Sequence, residues 1–307
     1  MSGSTLKLIA IFAMIIDHVA AVLVWSVAYS TNNTQMMEIS HYMRMFGRIA
    51  FPIFCFLLVE GFVHTKNRRR YAIRLALFAV ISEIPFDLAF SMTPFDFNAQ
   101  NVFFTLFLGL VVLMGLENIQ TIWKEARWLR WVSCIGILGA VYLIVGLIVP
   151  LCYQIVNIVA GWLGNTREIT LSMQIFIGVI IVTLIGTIIA FVVSIEKSGI
   201  QPTSRFFTGI AMILAGVAAA ELMCTDYASM GVLAIIVMYL LRKNKVASMA
   251  GGCVVLTVLA FSEYFALVNV PLISLYNGKR GMNLKYLFYV FYPAHLLILF
   301  LIGRFIL

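Results

Sequence analysis

Apolar residues fall along this chain in long runs separated by short basic stretches, and about 20 mostly apolar residues are needed for a helix to cross a bilayer. The first run, Leu6 to Val27, is long enough to span, yet it carries Lys7 at its start and Asp17 and His18 near its middle. Ionisable groups at membrane depth cost several kcal/mol unless paired or hydrated, so they tend to mark a site or a pathway. At about 100° per residue, Lys7 and His18 share one helix face, roughly 16 Å apart along the axis. Taken alone, the run reads as plain structure, with Lys7 a positive-inside anchor and His18 a histidine packed and bonded to a neighbouring helix.

The most basic stretch, His64 to Arg70, orients the runs by the positive-inside rule and is expected in the cytoplasm. The chain then leaves through Leu6 to Val27, returns through Phe46 to Val63, leaves through Tyr71 to Ser91 and returns through Asn101 to Leu116. It leaves again through Val132 to Val149. The apolar piece Leu151 to Leu163 is too short to span and is expected to re-enter or lie on the outer face. Leu171 to Ser194 returns, a basic Lys197-to-Arg205 loop follows, Phe206 to Met223 leaves, Ser229 to Leu241 returns, Val246 to Val268 leaves, and Lys285 to Phe305 returns. The expected fold is an all-α, polytopic transmembrane helical bundle of about ten spans, with both termini cytoplasmic and residues 1–307 forming a single domain. The Tyr276-to-Gly281 loop, with Lys279 and Arg280, falls outside on this count although its charge runs against the rule.

Composition agrees: of 307 residues, 63% are hydrophobic and 11% charged, too few polar groups to cover a soluble surface. A formal net charge of +8 raises nucleic acid as a partner, but the basic residues sit in short loops between spans, which argues against it. The first run is too long for a signal peptide and reads as a retained helix. Cys55, Cys134, Cys152, Cys224 and Cys253 form no C-x-x-C pair and read as small core residues; no metal is expected, because the ionisable residues match no ligand spacing.

Three titratable groups converge on the bilayer centre. His18 and Glu83 lie about 18 Å from the inner ends of their helices, and His295 about 15 Å from the outer end of the last. Arg44 and Arg48, and likewise Glu83 and Asp87, are four residues apart and present one face each, with Pro85 between the acids. Arg48 reads either as a partner of Glu83 or Asp87 or as a site residue. Asp87, Asp226, Glu221 and Glu263 read either as an acidic outer vestibule or as solvated helix ends. Tyr292 neighbours His295.

The segments Leu6 to Val22, Phe46 to Thr65, Phe78 to Phe90, Asn101 to Leu110, Tyr276 to Gly281 and Tyr286 to Leu299 resemble the TraX family. The Asp226-Tyr227 turn resembles a family D-Y-G element, with Ala228 where glycine is expected. Lys7 and His18, with ten residues between them, also resemble the basic-residue and histidine pattern on the first helix of wider membrane acyltransferases. The resemblance implies a multi-pass enzyme of the bacterial inner membrane. It implies acetyl transfer from cytoplasmic acetyl-CoA to an amine at the outer side: a pilin or other peptide N-terminus, or an amino sugar.

For that chemistry a near-neutral histidine is the expected base, His18, with Asp17 or Glu83 fixing its tautomer, Arg48 polarising the thioester or bracing the site, and His295 assisting. Direct transfer and an acetyl-histidine route both remain open. Lys7, Lys66, Arg68, Arg69, Arg70 and Arg74 are candidate contacts for the coenzyme phosphates. Asp87, Asp226, Tyr227, Glu263, Lys279, Arg280 and Tyr292 are candidate acceptor contacts, with the Lys279–Arg280 loop closing over the outer acids. The alternative is a proton-coupled small-molecule transporter, for which the same midplane groups would form a proton relay. Repeat symmetry between halves would favour it, and none is visible.

Overall fold

In the computed structural model, residues 1–125, 135–136, 139–141, 173–282 and 285–306 are described. They are helical throughout their ordered elements, and the only strand-like feature among them is an isolated bridge between Gln100 and Thr225. Six helical stretches are long and apolar enough to cross a membrane. The expected re-entrant piece Leu151 to Leu163 and most of Val132 to Val149 lie outside the described residues.

The described chain divides into two compact units, Met1–Val111 with Ala219–Leu307, and Val112–Ala218. The first unit opens with α1 (Gly3–Val19), capped by the Ser2 hydroxyl on the Thr5 N–H. It continues through a π-helical segment, Ala20–Val24, into α2 (Trp25–Ser30). The wide turn falls immediately after His18, and the Ser40 hydroxyl donates to the Ala20 carbonyl at 3.1 Å, meeting one of the backbone groups that such a turn disturbs. Asn33 caps α3 (Thr34–Gly47), which runs back along α1 and breaks at Arg48 before α4 (Ala50–His64). The close pass requires Gly47, because a Cβ there would fall 2.3 Å from the Asp17 Cβ.

Asn67 then caps α5 (Arg68–Ser91), which holds Pro85, and α6 (Val102–Glu125) follows after a loop. In the second unit, Gly199 at φ +86° is all that separates α7 (Met173–Ser198) from α8 (Ile200–Leu222), so the expected Lys197-to-Arg205 loop is mostly helix. Gly115 faces Met212 there and Gly139 faces Leu214, small residues that let helices approach closely.

Back in the first unit, α9 (Ala228–Leu240) is followed by α10 (Lys245–Leu259), a 3-10 segment Phe261–Val268, α11 (Asn269–Ser274) and α12 (Lys285–Ile306). Here the structure corrects the expected topology. Val246 to Val268 is not one crossing helix: Ala260 is extended (φ −141°, ψ 104°), the chain reverses, and Cys253 Sγ meets the Ala266 carbonyl across the hairpin at 3.2 Å. A chain that leaves at Lys245 is back beside it at Tyr276, whose ring lies 5.0 Å from Lys245 Nζ. The last helix therefore starts at the same end as α1 and runs parallel to it. Lys7 lies over Phe288, His18 meets His295, and Leu23 packs against Gly303. The termini leave this unit from opposite ends, not from one face.

Candidate functional site

Two histidines from parallel helices meet in the first unit. His295 Nδ1 lies 2.9 Å from the Phe291 carbonyl, which can only accept, so Nδ1 carries the proton. The lone pair of neutral His295 is then on Nε2, which accepts from His18 Nδ1–H at 2.7 Å. The chain of donors leaves His18 Nε2 with a free lone pair. Aromatic rings hold both imidazoles: Phe90 sits edge-on to His18 at 5.5 Å, and Phe291 stacks on His295 at 4.7 Å. Both histidines were readable as midplane residues; that one orients the other was not, since Asp17 or Glu83 was expected in that role.

Below the pair lies a cavity of about 550 Å³. Met14, Phe291 and Tyr292, each within about a turn of a histidine, line its upper part together with Phe103, which packs edge-on to Tyr292. Gly3, Lys7, Arg74 and Arg280 line the other end. The Arg74 Nε is buried with no partner. Of the expected phosphate contacts, Lys7 and Arg74 reach this cavity and Lys66, Arg68, Arg69 and Arg70 do not line it; Arg68 lies over the Phe62 ring at 4.6 Å.

Arg280 is the unexpected third cation, and its place corrects the outer-lid expectation. The loop from Leu275 to Met282 is laced to the N-terminus: Gly3 N–H donates to the Lys279 carbonyl at 2.8 Å, Ser4 N–H to the Arg280 carbonyl at 3.0 Å and Asn277 N–H to the Met1 carbonyl at 2.9 Å. Gly281, at φ +72°, touches Ser2 and Ser4, where any Cβ would collide. Lys279 and Arg280 thus sit at the Gly3 end, about 21 Å along α1 from Asp17, instead of over Asp87, Asp226 and Glu263.

The carboxylates separate into two groups. Arg48 Nη1 pairs with Glu263 Oε1 at 3.0 Å and donates to the Tyr227 hydroxyl at 3.4 Å, while Arg44 faces Asp17 at 3.7 Å. Asp226, exposed in the turn, lies in the same electrostatic neighbourhood as Arg44 and Arg48. Its carbonyl accepts from the Thr105 hydroxyl, and its N–H donates to the Gln100 carbonyl at 2.8 Å. Tyr227 and Ala228 both take positive φ, 62° and 37°, so this turn holds an alanine in the backbone region that suits the glycine of the D-Y-G element.

Glu83 and Asp87 form the other group, and Arg48 is not their partner. Glu83 accepts from both the N–H and the side-chain amide of Asn101, whose amide also reaches the Ala79 carbonyl. Asp87 accepts the Asp96 N–H at 3.0 Å. Asn101 gave no signal beforehand: a lone amide after a loop names no partner. Among the described residues, no group of three His, Cys, Asp or Glu side chains is placed to hold a metal ion.

A family model described as TraX protein matches residues 2–198 and 169–303. The chain is also similar to the "Probable fimbrial assembly protein FimC, serogroup H1" of Dichelobacter nodosus, 38% identical over 120 residues. That match covers 37% of this chain and 46% of the relative, so the chain spans less than half the length of the curated relative it matches. No solved structure matches.

Proposed function

The chain belongs to the TraX family, and from that premise we propose that it is an acyl-CoA-dependent N-acetyltransferase embedded in the bacterial cytoplasmic membrane. The donor is cytoplasmic acetyl-CoA and the acceptor an amine arriving from the outer side. The fimbrial name of the relative favours a pilin N-terminus among the candidate acceptors, over another peptide or an amino sugar. The observation that carries the reading is the His18–His295 pair above a cavity whose far end bears Lys7, Arg74 and Arg280. The positive-inside rule puts that far end, with Arg68 to Arg70 nearby in sequence, in the cytoplasm.

The residues fit the donor. A polyanionic nucleotide needs cations at the cavity mouth, and a buried guanidinium nitrogen without a partner is a donor still to be used. The apolar length from Phe288 to Tyr292 suits the neutral arm that carries the thioester. The amine nitrogen attacks the acetyl carbonyl, its N–C bond forms, and His18 Nε2 takes the proton that nitrogen sheds. The charge left on the imidazole is shared with His295 through the 2.7 Å bond, and His295 passes part of it to the Phe291 carbonyl. The C–S bond then breaks, and His18 returns its proton to the departing thiolate. General-base help of this kind is worth about 10²- to 10⁴-fold.

The test uses the full chain in lipid nanodiscs with acetyl-CoA and a pilin-like peptide, read by mass spectrometry. His18→Ala is expected to lower acetylation by at least about 10², with His295→Ala falling between it and the parent. Acetylation at the parent rate by His18→Ala would overturn the assignment. Substrate uptake by proteoliposomes without acetylation would favour the transporter.

A further inference from the structure

Glu83 and Asp87 are acids without a cation, Asp87 buried and Glu83 half-buried. Asp87 is 2% exposed, and the Glu83 Oε1 and Asp87 Oδ1 atoms are both buried with no hydrogen-bond partner. Neither makes an ion pair with any described residue; the two described salt bridges use Arg44 and Arg48 with Asp17 and Glu263. The groups that do face them are Asn101, Asp96 and each other. Two carboxylates at membrane depth with no compensating charge hold either a proton or an incoming cation.

Their direction adds to this. Residues 83, 87 and 90 recur at the spacing of one helix stripe, and Phe90 at the end of that stripe touches His18. Tyr292, packed on Phe103 and on His295, lies within electrostatic reach of Glu83. The same C-terminal end of α5 runs into the loop from Met92 to Gln100, where the Asp96 N–H closes on Asp87. That loop is at the end of the unit opposite the cation-lined cavity mouth.

The geometry points to Glu83 and Asp87 as the subsite that takes the acceptor as an ammonium ion on its way to His18. This rests on the acetyltransfer reading. A protonated amine cannot attack a thioester, and the uncompensated pair provides the sink: one N–H proton moves to a carboxylate, the neutral amine goes on to the His18 side, and the carboxylic acid later loses that proton to the outer solvent. The overall reaction releases one proton per acetylated ammonium, which is the proton this pair handles. The ligand class is therefore a primary ammonium, and an alcohol of the same shape is a poor substitute.

The experiment measures binding without chemistry. Glycinamide, a primary ammonium at neutral pH, and N-acetylglycinamide, its uncharged acetylated counterpart, are titrated calorimetrically into the full chain in nanodiscs without acetyl-CoA. Glycinamide is expected to bind at least about tenfold more tightly, a difference of about 1.4 kcal/mol. Glu83→Gln is expected to erase that preference, and Glu38→Gln, an exposed acid on α3, to leave it intact. Coenzyme A binding by Glu83→Gln reports that the variant is folded. Equal binding of the two probes by the parent, or an unchanged preference in folded Glu83→Gln, overturns the subsite. The acetyltransfer reading fails separately: no acetylated product with glycinamide preference retained would remove the reaction and leave the ammonium site standing.

Discussion

Two sets of carboxylates lie in the same unit and are built in opposite ways. Around Arg48, the acids Asp17, Asp226 and Glu263 are set against Arg44 and Arg48, and the Tyr227 hydroxyl fills a further contact of Arg48. Around Asn101, Glu83 and Asp87 meet only neutral donors. The first arrangement braces α3, α4, the α8–α9 turn and the 3-10 segment. The second keeps an electrostatic vacancy beside the histidines. Charge in the first set supports the fold, and charge in the second works against it, which is how a site that must receive a cation is stored.

The sharpest way to break this contrast is Arg48→Met. Removing one partner of a buried pair leaves Glu263 uncompensated, and such losses run to about 3 to 5 kcal/mol. The unfolding free energy from denaturant titration in detergent is expected to fall by that amount, and adding Glu263→Gln should recover more than half of it. If the two substitutions simply add, the pair is not a brace.

Next in size is the donor end. Single neutralisation of Lys7, Arg74 or Arg280 is expected to raise the KM for acetyl-CoA by about tenfold, the scale of one charge-assisted hydrogen bond, with kcat nearly unchanged because that contact is equal in ground and transition states. Neutralising Arg68, Arg69 and Arg70 together, which the sequence marks most strongly, should move KM less than Arg280→Ala alone. The reverse ranking would restore the basic run as the phosphate site. A cysteine at Asn277 should react with an impermeant thiol reagent only from the cytoplasmic side.

The membrane class, most of the helices and the midplane depth of His18 and His295 were all legible, because apolar length and isolated ionisable residues are one-dimensional signals. The direction of the last helix was not. Phe261 to Val268 is as apolar as a spanning segment but folds as a 3-10 return after an extended Ala260, and composition does not distinguish a crossing from a hairpin. That one misread reversal carried Tyr276 to Gly281 to the wrong end, and with it the far end of the last helix. The charge rule had flagged the fault: Lys279 and Arg280 broke it because they had been placed on the wrong side. Partner choice failed for a different reason. Helical spacing tells which face Arg48 and Glu83 share with their neighbours, but only the packed fold says that Arg48 meets Glu263 and Glu83 meets Asn101.

The smallest expected effect is the most informative in sign. Glu83→Gln keeps an oxygen for the Asn101 N–H and side-chain amide while removing one of two neighbouring carboxylates. If the pair stores repulsion that a cation relieves, the substitution should stabilise the empty protein by about 0.5 to 1 kcal/mol, the range of gains from relieving unfavourable charge. Added glycinamide should then raise the thermal midpoint of the parent and leave that of the variant unmoved, because only the parent offers both carboxylates. The same scan on Arg48→Met should show a lower midpoint with the glycinamide response intact. A midpoint that falls in Glu83→Gln as it does in Arg48→Met would mean that both sets of acids hold helices together, and the distinction between brace and receptor would be lost.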